Sequence, residues 1–530
     1  SHDASLFEIE PQLVVAPADV HDIEELVRFI AKDKTHHLSL TARSGGTDMT
    51  GGPLTNSIVM DMRRDFNRIK KIGYNQAIVE PGVFYRYFEK ATLKHGLLLP
   101  SYPASREICT VGGMVANNSG GEKTLTYGKT EQYVEELKMV LADGSLATIH
   151  PLSKTQLDHK MAEKTFEATI YRRLYHLIDS NFDLIQQARP KVSKNSAGYY
   201  LWNVWDGKTF DLNKLITGSQ GTLGIITEIT FRLIRPKKHA RLLVIFLNDL
   251  AHLAEMVNLV LHHQPESFES FDDHPLKLAI RFLPEIMKQM KGKSFFNLAL
   301  QFWPEASVIA TSGMPKLILL AEFTANTSSE AERQALDAQA DLRHHFSVKT
   351  LVTQTQNAGK KYWIVRRESF NLLRHHVKGK HTAPFIDDIV VTPQQLPQFL
   401  PELTAIMKQY NLIYTIAGHI GDANFHIIPI MNLQDPKTKQ IIPELSKKVY
   451  DLVFRYNGSM SGEHNDGLIR TPFLKQMYGE KVYDLFIETK HIFDPKNIFN
   501  PGKKVGTNLK SALQHLASDV PEQHVGKRQH

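Results

Sequence analysis

Apolar positions spaced three and four apart run through residues 19–33, DVHDIEELVRFIAKD, behind a leading aspartate, which predicts a capped helix with one buried face. The stretches LSLTAR (38–43) and SIVMDM (57–62) are short and apolar-rich, and they flank a glycine-rich loop, so both are predicted strands. A second helix is predicted over 83–96, VFYRYFEKATLKHG, stopped by Gly96. Residues 135–149 read as a hairpin, with Asp143-Gly144 between two alternating runs. GTLGIITEITFRLIRP (221–236) is predicted to be a strand that Pro236 ends. Beyond Pro236 the pattern becomes a strand and amphipathic helix over 242–261, a strand LILLAEFTA at 317–325, and a helix carrying EAERQALDAQADLRHHF. That order predicts an α+β domain on an antiparallel sheet. From about Lys475 a helix, YGEKVYDLFIETKHIF, precedes DPKNIFNPGKK, and the polar tail beyond Gly506 is expected to be loosely ordered. The expected segments are therefore 1–236, 237–474, 475–505 and 506–530.

Composition narrows the classes. The chain has 530 residues, 42% hydrophobic and 22% charged, which fits a folded protein of two or three domains. Its net charge of +7 is spread among interleaved acids, so nucleic-acid binding is not expected, whereas anionic substrates or lipid headgroups suit a basic surface. Cys109 is the single cysteine, which excludes an intrachain disulfide and a cluster held by this chain's thiolates. Electron transfer would need an organic cofactor or a partner. The longest apolar region, 242–261, is broken by Asn248, Asp249, His252 and Glu255 and is not a membrane span. The expected location is the cytoplasm or, peripherally, the inner face of a membrane. The chain begins at Ser1 rather than methionine, which suggests a processed or tagged end and gives no targeting information.

Three glycine-rich stretches mark the first part: ARSGGTDMTGG (42–52), TVGGMVANNSGGEKTLTYG (110–128) and TGSQGTLGIITE (217–228). None has the spacing of a nicotinamide fingerprint or the lysine and hydroxyl of a P-loop. Consecutive glycines let backbone N–H groups turn inward around an anion, as a pyrophosphate requires. One such loop is commonly a plain turn; three in one region point to a dinucleotide.

The order of these motifs resembles the flavin-binding domain of the vanillyl-alcohol oxidase and p-cresol methylhydroxylase (PCMH) superfamily, and KNSAGYYLW (194–202) is similar to that family's Lys-Asn-x-x-Gly-Tyr signature. The resemblance implies FAD. It implies a pyrophosphate cradle at Arg43, Ser44, Gly45, Gly46, Thr47 and Asp48. It implies that the segment with Pro103, Thr110, Gly112, Gly113, Asn117, Ser119 and Gly120 runs beside the isoalloxazine and phosphates. Gly224, Ile225 and Ile226 would lie along the adenine side. Members with covalent flavin often carry histidine in the first loop; Thr47 and Asp48 stand there, so FAD is expected to be non-covalent.

The second constellation is AGHIGDANFHIIP (417–429). A hairpin with its turn at 421–424 would set Ile420 opposite Phe425 and His419 opposite His426, close enough to share an ion. In SGEHNDGLIR (461–470), Glu463 and His464 are adjacent and point apart on extended backbone, one toward a metal and the other toward substrate. Two histidines, one carboxylate and an open position form a catalytic-metal pattern suited to zinc or manganese, although a chain with 25 histidines also holds incidental pairs.

GHIGDANFH resembles the Gly-His-x-Gly-Asp-Gly-Asn-x-His motif of the FAD-linked D-2-hydroxyacid dehydrogenase branch, which includes D-lactate and D-2-hydroxyglutarate dehydrogenases and a glycolate oxidase flavoprotein subunit. GEHNDG is similar to its Gly-Glu-His-Gly motif, YWIVRRES (362–369) to its Trp-x-x-Arg element, and DPKNIFNPGK (494–503) to its C-terminal signature. Ala423 and Asn465 depart from the family, standing where it usually has glycine. The implied fold is α+β: a two-domain flavoprotein with a PCMH-type FAD-binding domain (1–236), an antiparallel-sheet substrate-binding cap (237–474), a C-terminal segment (475–505) that brings Asn500 back to the flavin, and a flexible tail.

The implied chemistry oxidises a D-2-hydroxyacid to the 2-oxoacid. Arg366, with Arg367 beside it, would grip the substrate carboxylate, and Asn424 would orient the substrate. A metal on His419, His426 and Glu463 would acidify the hydroxyl, His464 would take its proton, and flavin N5 would take the hydride. The electron acceptor is open among a quinone, a cytochrome, an electron-transfer flavoprotein or a partner subunit. Rival readings are a flavin oxidase, a non-redox transferase of the same superfamily, and a zinc hydrolase with merely structural glycine loops.

Overall fold

The computed structural model describes residues 1–35, 37–272, 314–364, 366, 381–433 and 435–517. Helix Val20–Ala31 starts where Asp19 accepts a hydrogen bond from the Asp22 N–H, and it buries Ile23, Val27 and Ile30. That face packs on Leu40, Met60, Ile225 and Phe499. Strands β1 (Leu13–Val15), β2 (Leu40–Arg43) and β3 (Ile58–Asp61) form a parallel sheet in the order β1-β3-β2. Strands β4 (Ile69–Ile72), β5 (Gln76–Val79), β6 (Val134–Val140) and β7 (Leu146–Ile149) belong to a second sheet. Past the short pair β8 (Leu152–Ser153) and β9 (Thr209–Phe210), β10 (Ile225–Arg232) joins it, giving the antiparallel order β4-β5-β10-β6-β7. The Asp143-Gly144 hairpin is the β6–β7 connection.

After Pro236 come β11 (His239–Leu247), β12 (Ser267–Asp272), β13 (Leu317–Ala325), β14 (Lys349–Val352), β15 (His381–Thr382), β16 (Ile389–Val390), β17 (Ile413–His419) and β18 (Asn424–Met431). They form one antiparallel sheet, β14-β11-β13-β12-β17-β18-β15, with β16 also on β18. The apolar run of β11 is continuous because both of its faces are buried. Leu243, Ile245 and Leu247 pack with helices Leu253–His262 and Ser328–His345, whereas Leu242, Val244 and Phe246 pack with Phe271, Tyr362 and Trp363. The architecture is thus α+β, with antiparallel sheets and covering helices.

The C-terminal segment does return to the first part. Helix Glu480–Phe493 ends at Asp494, whose carboxylate accepts from the N–H groups of Ile498 and Phe499. Phe499 bridges to Leu40, and Asn500 reaches the glycine loops. The expectation of a loose tail from Gly506 is corrected for residues 507–517. Asn508 caps a short helix, Leu509–Ala512, Leu516 pairs with Phe7, and the Ala517 N–H donates to Leu6 O. The tail carries its own apolar residues, Leu509, Leu513 and Leu516, which pack on the core. Residues 518–530 lie outside the described residues.

Candidate functional site

Strands β17 and β18 form the hairpin expected around the two histidines, but with a different register. His419 pairs with Asn424, and His426 pairs with Ala417. The turn is a single 3₁₀ turn, Ile420–Asp422, closed by Ala423 in the left-handed conformation at φ 47°. His419 is two residues along the strand from Ala417, so it shares a face with His426 as a diagonal neighbour. The rings still meet, with centroids 5.2 Å apart. The left-handed turn position also explains why glycine suits site 423: a Cβ there costs energy that glycine avoids. Asn465, the other departure, is likewise at positive φ, 70°. Its buried amide donates to Asn117 O at 3.1 Å and Gly218 O at 2.9 Å.

Three imidazoles converge on one carboxylate oxygen. Glu463 Oε1 lies 3.0 Å from His419 Nε2, 3.5 Å from His426 Nε2 and 4.0 Å from His464 Nε2. Glu463 and His464 therefore point to the same centre instead of apart, because the backbone bends there. Carboxylates hold the far ring nitrogens: Glu269 Oε1 is 2.7 Å from His419 Nδ1, Asp387 Oδ1 is 3.0 Å from His426 Nδ1, and Asp387 Oδ2 is 2.7 Å from His464 Nδ1. Asp388 holds the backbone instead. Its carboxylate accepts from the N–H of Glu463 at 2.8 Å and of His464 at 2.7 Å, from Ser461 Oγ and from Asn424 Nδ2. Lys194 Nζ, fully buried, balances Glu463 Oε2 at 3.2 Å and Asp422 at 3.4 Å.

This frame favours positive charge. Burial raises Glu463, but His419 and Lys194 outweigh it and keep the carboxyl well below its usual range. Burial opposes the His426 cation, yet Asp387 and Glu463 outweigh that and push its pKa up to about 10. His464 is raised against burial by Asp387 and Asp388. Asp388, His426, Glu463 and His464 offer ligand atoms within 4.8 Å of one another, which makes this a place able to hold a cation. With Asp388 already accepting four hydrogen bonds, the better donors are Glu463 and the histidine nitrogens. Tetrahedral zinc with ligands at about 2.0–2.1 Å keeps its donors roughly 3.3 Å apart. The His419 and His426 separations from Glu463 bracket that spacing.

The glycine-rich stretches meet beside this centre. A Cβ on Gly113 would fall 2.4 Å from Ser44 Oγ, so the helix Val111–Asn117 packs directly against the first loop. A Cβ on Gly120 would come within 3.1 Å of Glu463 Oε2. Asn117 Nδ2 donates to Glu463 O at 2.8 Å, and the N–H groups of Gly218 and Gln220 donate to Val115 O and Ala116 O. Thr110 Oγ1, Asn117 Oδ1 and Thr217 Oγ1 are buried with no hydrogen-bond partner among the described residues, open to a polar ligand. Ser119 is buried beside Gly120, and Pro103 lies in the wall against Gly121.

Other expected binding residues are placed differently. Asp48 braces its own loop: its carboxylate accepts from the Thr50 N–H and hydroxyl and from the Gly52 N–H. Arg43 donates to His2 O and packs over Gly46, with Thr47 next in the loop. Gly224 allows close approach to β6, and Ile225 and Ile226 pair with Val140 and Met139, Ile225 being core. Asn500 ties loops together through Gly52 O at 2.9 Å and Gln220 O at 2.7 Å. Asn424 is fully buried, and its Nδ2 donates to Asp388 Oδ1 and Ile389 O, while its Oδ1 has no hydrogen-bond partner among the described residues. Arg366 pairs with Glu269 Oε2. Arg367 lies outside the described residues.

Sequence reasoning missed Lys129, Glu269 and the pair Asp387-Asp388, and it marked Lys194 only as the lysine of a family signature, with no role at the histidine centre. Lys129 is buried and bonds to Asn195 O and Gly462 O, joining the Lys194 segment to the Glu463 segment. Consecutive aspartates inside the apolar run FIDDIVV (385–391), and glutamate inside the strand SFESFD, were the available signals, because buried acids need partners.

Residues 236–504 match the family model for FAD linked oxidases, C-terminal domain, and residues 11–150 match that of an FAD binding domain. D-2-hydroxyglutarate dehydrogenase of Pseudomonas putida is 28% identical over 516 residues, covering 96% of this chain and 50% of that protein. Glycolate oxidase subunit GlcD of Bacillus subtilis is 24% identical, covering 95% of this chain and 91% of that protein. D-lactate dehydrogenase of Archaeoglobus fulgidus is also 24% identical, covering 93% and 91%. The chain spans about half the length of the first curated relatives it matches. Among solved structures, 4-ethylphenol oxidase from Gulosibacter chungangensis has a TM-score of 0.66 at 14% identity, covering 96% of this chain and 92% of that one. An alkyldihydroxyacetonephosphate synthase has 0.63 at 16%, covering 92% and 77%. These two show a shared fold.

Proposed function

The chain belongs to the family of FAD linked oxidases, with their two-domain fold, and on that premise we propose that it oxidises a D-2-hydroxyacid to the 2-oxoacid with non-covalently bound FAD. The observation that carries this reading is the contact between the two expected sites. Gly120 and Asn117, from the segment expected to flank the flavin, touch Glu463 of the histidine centre. A substrate carbon between them would face the flavin on one side and the histidines on the other. The curated relatives include D-2-hydroxyglutarate and D-lactate dehydrogenases, which supports a small 2-hydroxyacid as substrate.

Bound FAD would supply the hydride acceptor, and a divalent metal, zinc or manganese, on His419, His426 and Glu463 would polarise the substrate hydroxyl. The chain's own residues do the rest. His464 Nε2 faces the same centre and takes the hydroxyl proton. Arg366 receives the substrate carboxylate, whose charge would compete with Glu269 for the guanidinium. Lys194 keeps Glu463 ionised, and Asp388 fixes the peptide that presents Glu463 and His464. Residues 1–236 would form the FAD domain and 237–474 the cap. The physiological electron acceptor is a second molecule or subunit, consistent with the lone Cys109. Among the described residues no helix is long and apolar enough to cross a membrane, and peripheral contact with a membrane's inner face or a cytoplasmic location both suit the reading.

Anaerobic mixing of the flavin-loaded chain with D- and L-lactate, D- and L-2-hydroxyglutarate and glycolate tests the proposal. Bleaching of the flavin by a D-isomer, slowed by a chelator, is expected. A colourless protein, or a flavin that no 2-hydroxyacid bleaches, would overturn it. Rapid reoxidation by oxygen after bleaching would instead mark an oxidase.

A further inference from the structure

Asp387 stands at the junction of the centre. It is fully buried, and each of its oxygens faces a different imidazole: Oδ1 is 3.0 Å from His426 Nδ1 and Oδ2 is 2.7 Å from His464 Nδ1. The two rings stack, with centroids 4.9 Å apart and planes 22° from parallel. The aspartate itself is pinned. Arg470 Nη2 donates to Asp387 O at 2.5 Å, and the Tyr450 hydroxyl donates to Phe385 O at 2.6 Å. Its neighbour Asp388 holds the peptide carrying Glu463 and His464. One short segment therefore sets both the rings and the backbone that presents them.

We propose that Asp387 is a positioning residue: its Oδ1 hydrogen-bonds His426 Nδ1, its Oδ2 stays in ion-pair contact with His464 Nδ1, and both Nε2 atoms are thereby kept facing the Glu463 centre. A neutral imidazole has one N–H and one lone pair, and the hydrogen bond made by one nitrogen decides the role of the other. A carboxylate presents a negative oxygen to each ring, one hydrogen-bonded to His426 Nδ1 and the other in ion-pair contact with His464 Nδ1. An asparagine of the same shape cannot. Its Nδ2 donates, and a ring facing it must move its proton to Nε2, which removes one lone pair from the centre. The consequence is a coupling: one substitution at residue 387 weakens metal binding through His426 and proton transfer through His464. The inference rests on reading His426 and Glu463 as metal ligands and His464 as the base.

The test uses the flavin-loaded chain stripped of metal and titrated with Zn²⁺ against a chromophoric chelator. Asp387→Asn is expected to weaken Zn²⁺ binding about 10–100-fold, the usual effect of losing a carboxylate behind a ligating histidine. In a His426→Ala background, the same change is expected to alter the affinity less than about threefold, because the ring through which it acts is gone. Native affinity in Asp387→Asn, or an equal loss in both backgrounds, would overturn the proposal. So would loss of flavin from the variant, which would make Asp387 a requirement of the fold. A second readout is the limiting rate of flavin bleaching at saturating Zn²⁺, expected to fall while the flavin content stays native. Zn²⁺ affinity is measured without substrate, so a failure of the dehydrogenase reading would show separately, as a native chain that binds Zn²⁺ but is never bleached.

Discussion

Lys194 and Glu463 lie far apart in the chain, yet the Lys194 ammonium sits 3.2 Å from Glu463 Oε2 with no exposure to solvent. A second acidic neighbour is Asp422 at 3.4 Å, and Glu269 adds a third negative charge nearby. Removing one partner of such a pair leaves a buried charge without compensation, at a cost of about 3–5 kcal/mol. Lys194→Met is therefore expected to lose about that much stability in urea denaturation. Saturating Zn²⁺ should restore part of the loss, because a metal would bring positive charge back to Glu463. An unchanged urea midpoint without metal would refute the role given to Lys194.

Ala423 offers a sharper contrast. It is fully buried in a left-handed turn, at φ 47°. Glycine there would relieve roughly 1–2 kcal/mol of backbone cost but forfeit about 0.8 kcal/mol of buried methyl. Ala423→Gly is thus expected to stay within about 1 kcal/mol of native stability. Ala423→Val, β-branched at positive φ, should lose at least about 2 kcal/mol. Chemical denaturation of both variants decides it, and equal effects would contradict the turn assignment.

The same hairpin shows what the sequence carries and what it hides. Alternation and turn residues place β17 and β18, and the α+β class follows from the order of strands and helices. Register is another matter. The reading put the turn at 421–424, but the 3₁₀ turn begins at Ile420 and moves His419 opposite Asn424. A one-residue shift in the position of a four-residue connection decides this, and apolar flanks on both strands do not signal it. The histidines still meet because diagonal neighbours on one face are within reach of long side chains. Glu269, Asp387 and the role of Lys194, whose signature was visible, were illegible for a different reason. Their importance comes from long-range charge pairing, which leaves no periodic trace. The carboxylate of Asp48 and the Nδ2 of Asn424 serve the local frame, as a polar residue in a glycine loop or turn commonly does.

Glu322 gives a pH prediction away from the centre. It stands on β13 near Lys123, Glu122 and Glu266, where Lys123 of a glycine-rich stretch reaches the sheet that holds β12 and β13. Burial, reinforced by Glu122 and Glu266, outweighs Lys123 and pushes its pKa up to about 7. The folded state thus holds this proton more tightly than the unfolded chain, whose value is about 4.3. Stability from this group is fully present below pH about 4.3 and is lost as pH rises to about 7, by up to about 3 kcal/mol. Glu322→Gln is expected to remove that slope. Urea midpoints at pH 5, 6 and 7 check it, and parallel curves for both proteins would count against it.

Asn500 tests how the C-terminal segment supports the glycine loops. Its Nδ2 donates to Gly52 O and Gln220 O, and its Oδ1 accepts from Thr41 Oγ1 at 3.1 Å. Asn500→Ala would leave two buried carbonyls without a donor, each at about 1–3 kcal/mol. A total loss of about 2–5 kcal/mol is expected, together with faster escape of flavin on dialysis, since those carbonyls belong to the loops expected to surround it. Asn500→Asp should be worse than alanine. It places a carboxylate against the same two carbonyls, where the native amide donates. If the aspartate variant keeps its flavin as long as the native chain, the clasp does not act on the cofactor loops.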